Sequence, residues 1–260
     1  MNKQFEIAYF SAEIGISSSI PTYSGGLGVL AGDHIKAAGD AGINMCAITL
    51  LYKEGYFKQR IDEDGIQTET YPRFDPEPLI NQMDLQFSLQ LQKREVFVQV
   101  FRFNYIANSG HNIPIYFLDT DLEKNIEEDR NITHRLYSGD KDHRILQEAI
   151  LGFGGTKLLE CLSQKKIKTY HMNEGHCSFL VLDLLKKYCT TYVTYLKLQF
   201  QKLLKKANVI PEKAVDNIFN RMKTLERDEI VDGPIPLESA RVEMSMFRAE
   251  MMLARLLQLL

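Results

Sequence analysis

Four cysteines are spread along the sequence, Cys46, Cys161, Cys177 and Cys189, and no two stand at a CxxC spacing. That scatter argues against a metal site and against the disulfide framework of a small secreted domain. It fits reduced, buried thiols. An excess of one charge is lacking too. Thirty-one lysines and arginines face 34 aspartates and glutamates, a net charge of −3, so no electrostatic field draws the chain to nucleic acid or to a membrane surface. No apolar run reaches the roughly 20 residues of a membrane span. The opening FEIAYFSAEIGI carries acidic residues and lacks the basic-then-apolar layout of a secretory leader. A cytoplasmic protein is expected. Tryptophan is absent altogether, and nothing follows from that.

What is present is ordinary for a globular protein. The 260 residues are 45% hydrophobic and 25% charged, enough for a sizeable core in one large domain or two small ones. Residues 5–11, FEIAYFS, read as a buried strand. A polar turn follows, then a helix from about Leu27 to Ala41 that Gly42 should end as a C′ glycine. NMCAITLLY, 44–52, is a nearly continuous apolar run, the mark of a strand covered on both faces. Strand, glycine turn, helix and strand make one βαβ unit, the seed of a parallel sheet.

The texture then changes. YFKQRID and IQTETYP flank Glu63-Asp64-Gly65, a hairpin signal. LQFSLQLQ and EVFVQVFRF alternate apolar with polar residues, as half-buried antiparallel strands do. IPIYFLDT returns to a buried strand, residues 127–163 read as helical, and IKTYHMN, 167–173, as another strand, with Glu174 starting a helix. Residues 1–188 are therefore expected to form one α/β domain carrying an inserted antiparallel β-meander. Residues 189–260 are expected to be a divergent helical tail, with a Met- and Leu-rich last helix suited to docking.

Four groups of residues could carry chemistry. Gly25, Gly26, Leu27 and Gly28 open the first helix, where unsatisfied amides and the helix dipole attract an anion such as phosphate. A tight structural turn would explain them equally. YHMNEGHCSF, 170–179, follows a strand and opens a helix, so it should lie at the carboxyl edge of the sheet, where ligands bind in open α/β folds. His171, Asn173, Glu174 and His176 form a polar cluster suited to hydrogen-bonding a polyhydroxylated ligand. Helix capping with buried histidines is the plainer alternative. The two histidines stand five apart, the wrong offset for a metal pair on one helical face. Asp140, Asp142, His143 and Arg144 crowd a loop before a helix, a site or a solvated turn. Glu13 lies just beyond the first strand.

Five stretches, AYFSAEIGI, PTYSGGLGVLAGDHIKAAGDAGI, LLYKEGYFKQRIDEDGIQTETYP, YFLDTDLEKNIEEDRNITHRLYSGDKDHRILQEAILGFGG and YHMNEGHCSFL, occur in that order. Together they resemble the α-glucan phosphorylases (glycogen, starch and maltodextrin phosphorylases) in their shorter bacterial and archaeal form, over about residues 5–188. The resemblance implies a Rossmann-like N-terminal domain of a GT-B glycosyltransferase, in which two such domains face each other across a cleft. It implies cleavage of a terminal α-1,4 linkage by inorganic phosphate, releasing glucose 1-phosphate with retained configuration. Pyridoxal phosphate would lie in the cleft, with its own phosphate group acting as a proton relay. Residues 25–28 would match the loop whose amides approach the phosphates. Glu13 would lie near the active site, Asp140 in the loop closing over the glucosyl unit, and His171, Asn173, Glu174 and His176 along the glucan side.

The match is confined to the N-terminal portion. The lysine that forms the cofactor's Schiff base belongs to the family's C-terminal domain and is absent from this sequence. The segment usual before the first strand, and a later strand carrying a histidine, have no counterpart either. A separate C-terminal phosphorylase domain is therefore an expected partner, and no catalytic residue is assigned with certainty to this chain. The alternatives are a non-catalytic glucan-binding or regulatory module, a degenerate remnant, and a nucleotide-sugar glucan synthase. Synthases share a glycine turn at the first helix but carry a lysine just before it, where this chain has Tyr23-Ser24.

Overall fold

The segment Ile7–Ser11 (β1) is buried along almost its whole length, and Met45–Leu50 (β2) along all of it. The two pair in parallel, so the connection between them must cross over the sheet. Gly26–Asp40 (α1) makes that crossover and buries Ala31, Ile35 and Ala38 on it. In the computed structural model, which describes residues 4–71 and 73–188, α1 starts one residue earlier than the glycine turn predicts. It ends as expected: Gly42 has φ +68°, its N–H reaches the Gly39 carbonyl at 3.0 Å, and the Ile43 N–H reaches Ala38 at 2.9 Å. This is the Schellman pattern, which calls for a left-handed residue there.

Lys58–Ile61 (β3) and Gln67–Thr70 (β4) form a separate exposed ribbon around the expected turn. Asn81–Leu91 (β5) and Arg94–Ile106 (β6) pair antiparallel, and β6 pairs antiparallel with Asn112–Asp119 (β7). β7 in turn pairs in parallel with β2, and Thr169–Asn173 (β8) in parallel with β1. The result is one six-stranded sheet in the order β5-β6-β7-β2-β1-β8. The antiparallel strands are thus continuous with the parallel ones through β7, which is buried on both faces. The core on the α1 side gathers Tyr9, Ile35, Leu51, Ile113, Ile115 and Phe117, each worth about 1.5–3 kcal/mol of burial if an aliphatic or Phe side chain.

Residues 127–163 are not one helix. Helical structure stops after Glu127–Arg130 (α2) and resumes at Lys141–Ala149 (α3). Thr133 diverts the chain between them: its hydroxyl donates to Asp119 at 3.1 Å and accepts the Thr120 N–H at 2.9 Å, pinning the segment to the end of β7. The Ile150–Gly154 stretch is a π-helical turn before Gly155–Cys161 (α4). There Gly152 packs against the backbone of Phe179 and Leu180. Beyond β8 the expected helix start at Glu174 is instead a 3₁₀ turn, Gly175–Cys177, followed by Phe179–Tyr188 (α5). The described residues up to Leu180 form one compact unit, and the rest of α5 belongs to a second. The expected tail at 189–260, with Cys189, lies outside the described residues. Of the other cysteines Cys46 and Cys177 are buried, but Cys161, at the end of α4, is exposed, so the expectation of uniformly buried thiols fails there.

Candidate functional site

The four parallel strands, numbered by their place in the chain, lie in the order third, second, first, fourth. In such a sheet the connections leave strands one and four in opposite directions, and a crevice opens at their carboxyl ends. Here that switch point lies between β1 and β8, where the chain carries Ser11-Ala12-Glu13 and Asn173-Glu174-Gly175.

Glu13 is 2% exposed and organises the crevice. Its Oε2 accepts the N–H of Ser24 at 2.6 Å and of Gly25 at 3.3 Å, and Oε1 accepts the Ser24 hydroxyl at 3.3 Å and the Tyr137 phenol. The carboxylate therefore sits at the start of α1 as the helix's own anion, which the dipole favours. This qualifies the expectation that residues 25–28 hold a ligand anion, because the Gly25 amide is already taken. The amides of Gly26, Leu27 and Gly28 have no acceptor among the described residues. Gly25 and Gly26 are exposed, with nothing within 4 Å of where a Cβ would stand, while Gly28 is buried against Tyr23 and Glu13. The anion-binding capacity that remains belongs to positions 26–28.

Asn173, 6% exposed, joins the same network. Its Nδ2 donates to the Ser11 hydroxyl at 3.1 Å, which donates to the Glu13 carbonyl at 2.6 Å. β1, α1 and β8 are thereby tied together by polar groups at one edge, as a buried network requires.

The loop before α3 closes the crevice from above. Tyr137, at φ +55°, brings its phenol to Glu13, and burial together with that carboxylate raises its pKa, so it stays a neutral donor. The Arg144 guanidinium lies 5.5 Å from the Tyr137 ring and the His176 ring 6.1 Å from it. Beneath them Tyr52 donates to the Ala12 carbonyl at 3.0 Å. These groups, with Gln147 and Glu148 of α3, line a cleft holding only about 10 Å³ of free space. A sugar ring does not fit inside that volume, so a ligand would sit over its mouth. Tyr52, Tyr137 and Glu148 were not singled out in the sequence. The run of helix former and apolar residues around Glu148 carries no signal, whereas the SGD turn after Tyr137 does.

Asp140 caps α3, accepting the His143 N–H at 3.0 Å, and is itself exposed. Burial lowers the His143 pKa against the opposing influence of Asp140, so the ring is neutral near pH 7. Asp140 does not contact the Glu13 network. His171 is not with the others either. It alternates to the α1 side of β8, where its ring lies 4.9 Å from Tyr9 and 5.1 Å from His34. Three rings at these separations make an aromatic edge contact. Of the four polar residues in that stretch, Asn173 and His176 come to the crevice.

Glu174 is exposed and has φ +69° and ψ 175°. That region is essentially reserved for glycine, and occupying it with another residue costs on the order of 1–3 kcal/mol. We expect Glu174→Gly to raise stability by about 1 kcal/mol in urea denaturation, since relief of strain outweighs glycine's greater unfolded entropy. A loss of stability would show that the glutamate side chain itself holds this turn.

No family model matches the chain. Individual relatives do. It is 45% identical over 180 residues to the maltodextrin phosphorylase of Thermococcus litoralis, covering 66% of this chain and 21% of that protein. It is 39% identical over 196 residues to the glycogen phosphorylase of Mycobacterium tuberculosis, covering 71% and 22%. With the glycogen phosphorylase of Aquifex aeolicus it shares 35% identity over 192 residues, covering 70% and 27%. The chain thus spans only about a fifth to a quarter of these relatives' length. Through the roughly 70% of its sequence that matches them, the chain belongs to the α-glucan phosphorylase family.

Proposed function

We propose that this chain supplies one wall of a GT-B site that carries out phosphorolysis of an α-1,4-glucan, and that it acts together with a second, C-terminal phosphorylase domain. The observation that carries the reading is the meeting of Glu13, the residue 24–28 turn, Tyr137 and Asn173 at the switch point of the sheet. In the reaction the terminal C1–O bond breaks, a phosphate oxygen bonds to C1, and the departing O4 takes a proton.

This chain's part is binding and orientation. The amides of Gly26, Leu27 and Gly28 face an anion with fixed dipoles that need no rearrangement, which is where electrostatic catalysis gains most. Glu13 keeps the turn in that shape by holding Ser24 and Gly25. Tyr137, Arg144 and His176 form the lip over which a glucosyl unit would lie, with Asp140 holding the start of α3 behind it. Positioning of this kind contributes a large part of the rate in reactions of two bound partners.

Pyridoxal phosphate fits this wall only in part. The amides suit its phosphate, but no lysine lines the cleft, and Lys53, the lysine just past β2, is held by Asp119 and Asp121 at 3.3 and 2.6 Å. Among the described residues this wall therefore offers no Schiff-base partner.

Release of glucose 1-phosphate from maltoheptaose tests the reading. The chain is assayed alone, with pyridoxal phosphate, and with the C-terminal domain of a phosphorylase added. Turnover is expected only when domain and cofactor are both present. No turnover in any mixture rejects it, and binding of maltoheptaose by the chain would then identify a glucan-binding module.

A further inference from the structure

The β3–β4 ribbon stands apart from the main sheet, and every residue of its two strands is exposed. An isolated pair of strands is marginal in water, so its base has to be fastened. Glu54 fastens it by bridging to Arg73 and to Arg135, and the Phe74 N–H donates to the Lys53 carbonyl at 2.7 Å. Arg135 belongs to the loop that closes the crevice. Its carbonyl accepts the Ser138 hydroxyl at 3.1 Å and the Gln147 carboxamide at 2.9 Å, and Tyr137 stands two residues on. From the other direction, Tyr52 lines the crevice and Tyr56 follows four residues later. The base of the ribbon and the lip of the crevice are therefore neighbours.

Three aromatic rings gather at that base. The Phe57 ring lies 4.2 Å from Tyr56 and 5.9 Å from Tyr71, and the Arg135 guanidinium lies over the Tyr71 ring at 3.5 Å, a cation–π stack. Yet Tyr56 is 46% and Tyr71 37% exposed. The rings hold one another in place without being covered. They are not coplanar either: Phe57 is tilted 36° to Tyr56 and 62° to Tyr71. Neither the Tyr56 phenol nor the Arg135 guanidinium makes a hydrogen bond or ion pair among the described residues, so both keep donors at the rim. Charge gives the ribbon no preference for an anion, because Lys58, Arg60 and Arg73 are outnumbered by the acidic residues between positions 54 and 73. Its other exposed apolar side chains, Ile61 and Ile66, flank the far turn, roughly 13 Å away along the strands, and polar residues fill the space between. No continuous apolar surface of the kind a protein partner covers runs along the ribbon.

We propose that Tyr56, Phe57, Tyr71 and Arg135 form a platform that binds an internal stretch of an α-1,4-glucan, the same chain whose end lies over the crevice. The inference rests on the reading of the crevice as a glucan site. A pyranose ring has apolar C–H faces and a rim of hydroxyls. Aromatic rings cover the first, and the phenol and guanidinium donors meet the second. A neutral ligand agrees with the charge of the ribbon. An α-1,4 chain curves, so successive units can meet rings set at different tilts, whereas a flat β-1,4 chain would meet one ring at a time. Because the platform adjoins Tyr137, one glucan can occupy both places. Holding the chain at the platform raises the effective concentration of its end at the crevice without any new contact there.

Isothermal titration of the 260-residue chain tests it with maltoheptaose whose terminal O4 and O6 are capped by an ethylidene bridge, so that no free end reaches the crevice. The capped glucan is expected to bind saturably, and about tenfold tighter than cellohexaose, its β-1,4 counterpart. Tyr56→Ala and Tyr71→Ala should each weaken that binding about fivefold, the worth of one ring stack. Tyr71→Phe keeps the ring and should bind as the unaltered chain does, and Tyr137→Phe in the crevice should leave binding intact. Absence of saturable binding overturns the proposal, as does equal binding of cellohexaose. Binding that survives Tyr56→Ala unchanged, or that is lost in Tyr137→Phe, overturns it as well. If Tyr71→Ala fails to fold, the Tyr56→Ala result decides. Phosphorolysis by the reconstituted enzyme alongside binding unmoved by Tyr56→Ala rejects the platform and keeps the reading of the crevice. Binding lost in Tyr56→Ala with no phosphorolysis in any mixture does the reverse.

Discussion

Glu13→Ala is expected to lose about 3 kcal/mol of folding stability. The carboxylate is buried and accepts two backbone N–H groups and two hydroxyls. Alanine leaves the Ser24 and Gly25 amides and the Tyr137 phenol without this acceptor; each donor left unmade in a buried place costs roughly 1–3 kcal/mol, and less at the exposed Gly25 amide. The missing side chain also leaves a void beside Gly28. Lost charge at the start of α1 removes a further ~0.5 kcal/mol of dipole interaction. Glu13→Gln keeps one acceptor oxygen and should lose about half as much. Urea denaturation followed by circular dichroism reads both, and a change below about 1 kcal/mol for alanine would mean that the turn holds itself. The consequence for function follows from the same bonds: with the clamp gone, the amides of residues 26–28 are no longer held in one direction.

Gly32→Ala should be as damaging for a steric reason. A Cβ at position 32 would stand 2.1 Å from the Gly15 carbonyl oxygen and 2.6 Å from its carbon. Neither is the end of a flexible side chain that could swing away. Relief requires moving α1 off the segment after β1, which breaks the Gly15 N–H bond to the Gly28 carbonyl at 2.8 Å. Overpacking of a core costs about 1–3 kcal/mol where side chains can adjust, and here only backbone is available, so about 3 kcal/mol or more is expected. Gly26→Ala is the control. Nothing lies within 4 Å of its Cβ position, and alanine's higher helix propensity should add up to ~1 kcal/mol. Thermal unfolding of the two variants should separate widely. Equal midpoints would mean that α1 floats on the sheet rather than being seated on Gly15.

The two variants act on one object from two sides. Glu13 holds the turn by hydrogen bonds, and Gly32 holds the helix close enough for those bonds to reach.

Local pattern was enough for β1, α1, β2, the ribbon turn at Gly65 and β8, because each rests on a periodicity or a turn residue contained within its own segment. The Gly42 stop is of that kind: a left-handed position needs glycine wherever the helix goes. The polar stretch at 171–176 and the glycine turn likewise led to the crevice at the carboxyl ends of β1 and β8. Local pattern failed where a distant group decided. Residues 127–163 have helical composition throughout, but Thr133 is captured by Asp119 of β7, and no local signal announces a capture across the fold. His171 and His176 look equivalent on the page. Strand alternation sends one to Tyr9 and His34 and the turn sends the other beside Tyr137. Local sequence alone did not fix the role of Glu13, because the amides and phenol that bury it come from residues 24, 25 and 137.

By itself, then, the sequence determined the family, the parallel βαβ seed and the neighbourhood of the crevice, since these depend on patterns and motifs that stay within short segments. The tertiary structure alone decided that Glu13 is the clamp of the glycine turn and that Tyr137 rather than Asp140 reaches it. Those relations join residues up to 124 positions apart, and hydrogen bonding and steric exclusion act over a few ångströms of space whatever the distance along the chain.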